Sequence, residues 1–185
     1  MGLVVSTVQY IFGGGRDMDT PDKATGLTER EKDAIRASWA LVSVDLKGNG
    51  VNFLIKFFKD YPEDKTFFEA FKDKKPEELR DHPKMRAHAS IVMHALTSVV
   101  DNLDDPECLI DILQRNAQSH FGRNVRIKQY KDLFETFGRY LQEALGDKCT
   151  DLTKRSWEKA LAVVTSVIGD EMTALSNADQ KISEK

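Results

Sequence analysis

From about residue 28 to about residue 175, apolar positions recur at helical spacing and nowhere alternate with the period of two that a strand needs. Thr28-Glu29-Arg30-Glu31 has capping-box spacing, and Ile35, Trp39 and Val42 behind it form the apolar stripe of a first helix. Gly48-Asn49-Gly50 predicts a break, after which Val51, Leu54, Ile55 and Phe58 make the inner side of a second helix. Tyr61-Pro62 must end that helix, because proline disfavours helical geometry in the residue before it, and a short helical turn is expected to follow. Phe67-Phe68-Glu69-Ala70-Phe71 then makes an aromatic corner ahead of a Lys- and Glu-rich loop.

A longer helix is predicted from about Asp81, with Met85, His88, Val92, Leu96, Val99 and Leu103 on one face and Pro83 near its first turn. Next comes a helix opened by Pro106 and capped by Asp104 or Asp105, along which Leu109, Leu113, Ala117 and His120 share a face. Tyr130, Leu133, Phe134, Phe137, Leu141 and Leu145 mark another helix, closed by Gly146. The last starts near Asp151 and buries Trp157, Leu161, Val164, Ile168 and Met172. The fold class is therefore all-α.

Three regions are expected within the 185 residues. Residues 1–26 form a flexible N-terminal extension, apolar to Phe12 and then glycine-rich and polar, residues 27–175 one helical domain, and residues 176–185 a polar tail that frays. Met1-Gly2-Leu3-Val4-Val5-Ser6 matches the N-myristoylation pattern at Gly2. One acyl chain gives only weak, reversible membrane association, and no cysteine or basic cluster nearby supplies a second anchor. No segment is long and apolar enough to span a bilayer. A net charge of -3 without a basic run argues against nucleic acid as a partner. Cys108 and Cys149 are too few for a disulfide framework, which points to a reducing, cytoplasmic setting, extended to the cytoplasmic face of a membrane if Gly2 is acylated.

Two of the four histidines, His88 and His120, lie on apolar helix faces; His82 sits at a helix start and His94 points off the His88 face, so both are read as solvated. A histidine on a buried face either satisfies a core hydrogen bond or binds something. Zinc would need further protein ligands, which neither face offers. An iron porphyrin needs one imidazole on one side, room or a second imidazole on the other, and a wide apolar slot.

Taken in order, Trp39, Pro62, Phe68 and Phe71, His88 with Val92 one turn on, Ser119-His120 and Trp157 resemble the landmarks of the globin family over roughly Leu27 to Met172. The resemblance implies about eight helices around haem b, iron protoporphyrin IX. It implies His120 as the proximal ligand and His88 as the distal histidine, with Leu54, Phe68, Phe71, Val92, Leu113, Val125, Tyr130 and Leu133 at the pocket wall. Ser119 and the carbonyl of Asn116 are both candidates to orient the His120 ring. The basic residue many globins carry three positions after the distal histidine is replaced by Ile91, leaving Arg86, Arg123 or Arg126 to meet the propionates. Asn116 stands where an apolar residue is common, which would loosen packing beside His120.

The resemblance implies reversible binding of oxygen, nitric oxide or carbon monoxide at iron held by His120. The alternative it leaves open is a bis-histidine centre, with His88 on the iron, serving electron transfer, redox signalling, nitric oxide dioxygenation or nitrite reduction. The acylation pattern is similar to that of membrane-associated globin X-type members, and cytoglobin and neuroglobin are further members with which the chain compares. Oligomeric state is not legible.

Overall fold

The capping box at Thr28 forms as the spacing predicts: the Thr28 hydroxyl accepts from the Glu31 N–H at 3.2 Å, and the Glu31 carboxylate accepts from the Thr28 N–H at 2.9 Å. It opens α1 (Glu29–Ser43) in a computed structural model that describes residues 17–183. The Gly2 pattern and the glycine run at 13–15 lie outside the described residues. The chain continues through α2 (Leu46–Asp60), a 3-10 turn (Pro62–Phe67), α3 (Pro76–Leu79), α4 (Pro83–Asp101), α5 (Pro106–Phe121), α6 (Ile127–Leu145), a second 3-10 turn (Gly146–Lys148) and α7 (Asp151–Ser183). No strand occurs among the described residues.

Three expectations are corrected here. Gly48-Asn49-Gly50 is not a break but lies inside α2, whose start is set by Asp45 accepting from the Gly48 N–H at 2.9 Å. Gly50 is needed for close approach: a Cβ there would meet Met93 Cγ at 2.6 Å and the Ala89 carbonyl oxygen at 3.1 Å on α4. Asn49 takes the Tyr140 hydroxyl at 2.6 Å and donates to the Val42 carbonyl at 2.8 Å, tying α2 to α6 and α1. Residues 17–26, expected as linker, form a turn held by Asp22 Oδ1, which accepts from the N–H groups of Ala24 and Thr25 at 3.0 and 2.9 Å. Thr25 and Leu27 are buried, so this turn docks onto the domain. Finally, α7 does not stop near Ser176 but runs helically to Ser183.

The apolar stripes meet in two adjoining clusters. Trp39, Phe53, Phe137 and Trp157 centre the first, with Phe137 edge-on to Phe53 at 5.2 Å and to Trp157 at 5.3 Å. The Trp157 indole N–H donates to the Ser38 hydroxyl at 2.9 Å, so this buried ring has its polar atom satisfied. Leu109, Leu113, Ala117, Tyr130, Val164, Ile168 and Met172 form the second, where α5 lies along α7. Residues of α4, α5 and α6 line two adjoining cavities beside these clusters.

Candidate functional site

His88 comes from the middle of α4 and His120 from the last turn of α5. Both border one cavity of about 80 Å³. Leu54, Phe68, Val92, Val125, Tyr130 and Leu133 line it, as their positions imply. An adjoining apolar cavity shares His88, Val92, His120, Tyr130 and Leu133, and adds Leu113 to the wall. Phe71 is the exception. It is 3% exposed and lines neither cavity, lying instead stacked behind Phe68 at 5.0 Å and 16°. Its role is to hold the Phe68 ring, whose edge contact with His88 is 4.7 Å.

The His120 ring is held from behind. Its Nδ1 lies 2.9 Å from the Asn116 carbonyl oxygen; a carbonyl only accepts, so Nδ1 carries the proton and Nε2 keeps its lone pair. Ser119 does not share this task, because its hydroxyl and carbonyl oxygens take the Arg123 guanidinium. Nor does Asn116 loosen the packing: its side-chain oxygen accepts the Tyr130 hydroxyl, and the Tyr130 ring stands edge-on to His120 at 5.5 Å.

His88 differs in kind. It makes no hydrogen bond among the described residues, and burial, with His120 adding to it, pulls its imidazole down to about 4. The ring is therefore neutral at neutral pH and free to act as donor or ligand. His94 is exposed and bonded to its own Ser90 carbonyl at 2.7 Å. His82, expected in solvent, instead packs edge-on to Phe71 at 5.6 Å with Nδ1 buried and unpaired. The cysteines are both free, Cys108 exposed and Cys149 half-buried.

Among the arginines, Arg126 donates to the Phe121 and Val125 carbonyls at 2.9 and 3.0 Å and lies 4.1 Å over the Phe121 ring. With Arg123 it closes the end of α5 rather than standing free. Arg86 borders a separate surface groove with Lys47 and Arg80.

The wall also contains residues that periodicity does not single out. Phe57, Phe67, Asp64 and Gln129 border the His88–His120 cavity. Asp64 is the unexpected one: 2% exposed, it accepts from Gln129 Nε2 at 3.2 Å through Oδ1, while Oδ2 is buried with no hydrogen bond. Burial raises its pKa above the usual carboxylate value. No apolar spacing singles this aspartate out, and it is the buried residue of the 3-10 turn.

A family model described as Globin matches residues 51–168. Among curated proteins, a globin of Nerita albicilla is 40% identical over 154 residues, covering 83% of this chain and 98% of that protein. Hemoglobin-3 of Phacoides pectinatus is 38% identical and covers 80% of this chain and 97% of itself. Cytoglobin-2 of Danio rerio is 34% identical, with 81% and 82% covered. Among solved structures, a hexacoordinated heme protein from an anhydrobiotic tardigrade superposes with a TM-score of 0.77 at 24% identity, over 82% of this chain and 99% of that one.

Proposed function

The chain belongs to the globin family, and we propose that it holds haem b between His120 and His88 and binds a diatomic gas there. The observation that carries this reading is the pair of imidazoles facing one apolar cavity in different states. His120 has Nδ1 engaged and Nε2 available, and His88 has neither nitrogen engaged. That donor set fits an iron porphyrin better than a four-ligand metal ion. The only two cysteines, Cys108 and Cys149, make no Cys-x-x-Cys-His attachment motif, which supports haem held without covalent links.

When bound, haem supplies an iron with one position for an imidazole and another for a gas. His120 would hold the iron through Nε2, and the Asn116 carbonyl keeps its ring from turning. His88, neutral, would offer a ring N–H to a polar gas. Leu54, Phe68, Val92 and Leu133 exclude water and give the site low dielectric. His120→Ala should abolish the Soret absorbance of the purified, haem-supplemented protein; a normal spectrum and haem content in that variant would overturn the assignment.

One observation favours a second reading. A half-buried imidazole that makes no hydrogen bond among the described residues and stays neutral is available as a ligand, and the iron is the partner the cavity would offer, which makes a bis-histidine centre for redox or nitrogen-oxide chemistry. The ferrous, gas-free absorption spectrum separates the two: one broad visible band means an open position, two sharp bands mean His88 is bound.

The Met1-Gly2 pattern supports acylation and marginal association with the cytoplasmic face of a membrane. Among the described residues no helix is long and apolar enough to cross one. The intact mass of eukaryotically expressed protein tests the acylation, and a mass lacking the fourteen-carbon chain rejects it.

A further inference from the structure

Asp64 is a carboxyl built into the wall of the same cavity as His88 and His120, with one oxygen on Gln129 and the other buried and unpaired. No cation lies within ion-pair distance of it among the described residues. We propose that Asp64 is the protonation site coupled to haem reduction. As one electron from an external one-electron donor enters the haem, one proton from water adds to a carboxylate oxygen of Asp64, and oxidation releases both. The inference rests on the haem-binding reading above.

The coupling follows from charge at short range in a poorly polarisable site. Ferric haem carries one more positive charge than ferrous haem, and that charge favours the carboxylate; reduction removes it, and the carboxyl binds its proton more tightly. Burial, the largest influence, favours the protonated form. From α6, Lys128 favours the ionised form, but Lys128 is bonded to Asp132 at 2.5 Å and lies 3.5 Å from Glu63. Asp132 and Glu63, the latter on the same 3-10 turn, oppose ionisation, as does burial itself. On α2, Asp60 is taken by Arg139 at 3.0 Å. From α4 and α5 the only titratable groups on the cavity are His88, which is neutral at neutral pH, and His120. Among the described residues Gln129 is the one side chain that donates a hydrogen bond to the Asp64 carboxylate, and it stabilises the ionised form.

The test is the midpoint potential of the holoprotein by spectroelectrochemistry between about pH 4 and about pH 8, spanning the range above an ordinary aspartate. In the wild type the potential should fall as pH rises, with a slope approaching the roughly 59 mV per pH unit of a one-proton, one-electron couple. Asp64→Asn should flatten that fall and sit above the wild type at the alkaline end. Gln129→Leu, which removes the donor but keeps the carboxyl, should move the sloping window to higher pH. Coincident pH profiles for wild type and Asp64→Asn overturn the inference, as does an unmoved window in Gln129→Leu if Asp64→Asn does not fold. Failure of the underlying reading looks different: the wild type itself would show no Soret band after haem addition.

Discussion

The hydroxyl of Tyr130 donates to the side chain of Asn116, whose main-chain carbonyl in turn receives the Nδ1–H of His120 at 2.9 Å. One residue of α5 thus joins α6 to the imidazole that faces the cavity. Tyr130→Phe leaves the Asn116 oxygen without its donor and is expected to cost about 1 to 2 kcal/mol. It should also speed transfer of haem to an acceptor apoprotein. Adding Asn116→Leu to Tyr130→Phe should restore most of the stability, because no polar group is then left unpaired. Denaturation midpoints of the two variants check this, and an unchanged midpoint for Tyr130→Phe would refute it.

His88→Leu removes the one polar side chain of α4 that borders the cavity. Oxygen dissociation from the ferrous protein should accelerate by about 10-fold to 100-fold, the kinetic equivalent of roughly 1.5 to 3 kcal/mol. Stopped-flow displacement by carbon monoxide reads this rate. Should His88 occupy the iron instead, the same variant gains gas-binding rate and loses its two sharp ferrous bands.

Stability of the haem-stripped protein should depend on pH through His88. Its folded-state pKa, about 4, lies below the ordinary 6.5, so the unfolded chain binds the proton more tightly. The stabilising contribution is fully present above 6.5 and is lost as pH falls from there through about 4. Thermal midpoints taken across that interval should decline less steeply in His88→Leu than in the wild type. Parallel declines would mean that other groups dominate.

Gly50 and Gly138 both lie within helices but have opposite surroundings. A methyl at Gly50 would strike Met93 and the backbone at Ala89, whereas one at Gly138 meets nothing within 4 Å. Gly50→Ala should therefore destabilise by about 1 to 3 kcal/mol through overpacking of α2 on α4. Gly138→Ala should stabilise by roughly 0.5 to 1 kcal/mol, since alanine loses less backbone entropy in a helix. Urea midpoints of the two variants measure both signs.

The sequence by itself determined which residues would be inside. Helical periodicity selects faces, and on α5 the stripe Leu109–Leu113–Ala117 is buried as its spacing predicts, with His120 half-buried at its end. The globin landmarks then put His88 and His120 on one cavity together with six of the expected wall residues, and Leu113 on its neighbour; most of these belong to apolar helix stripes, whereas Phe68 and Val125 lie between helices. Apart from the two landmark histidines, polar residues were legible where they act locally, as Thr28 does in its own capping box.

Tertiary structure decided the rest, wherever a role depends on a partner distant in sequence. Gly48-Asn49-Gly50 reads as a break until α4 is seen to need the space and Tyr140 to need Asn49. Asn116 reads as a packing defect until Tyr130 reaches it, and Ser119 as an acceptor for His120 until Arg123 claims it. Asp64 lies on no apolar stripe, and only the 3-10 turn brings it to the cavity and Gln129. Apolar burial is non-directional and roughly additive, so spacing alone predicts it. A hydrogen bond or a shifted carboxyl depends on one atom arriving from another helix at about 3 Å, and only the assembled fold supplies that atom.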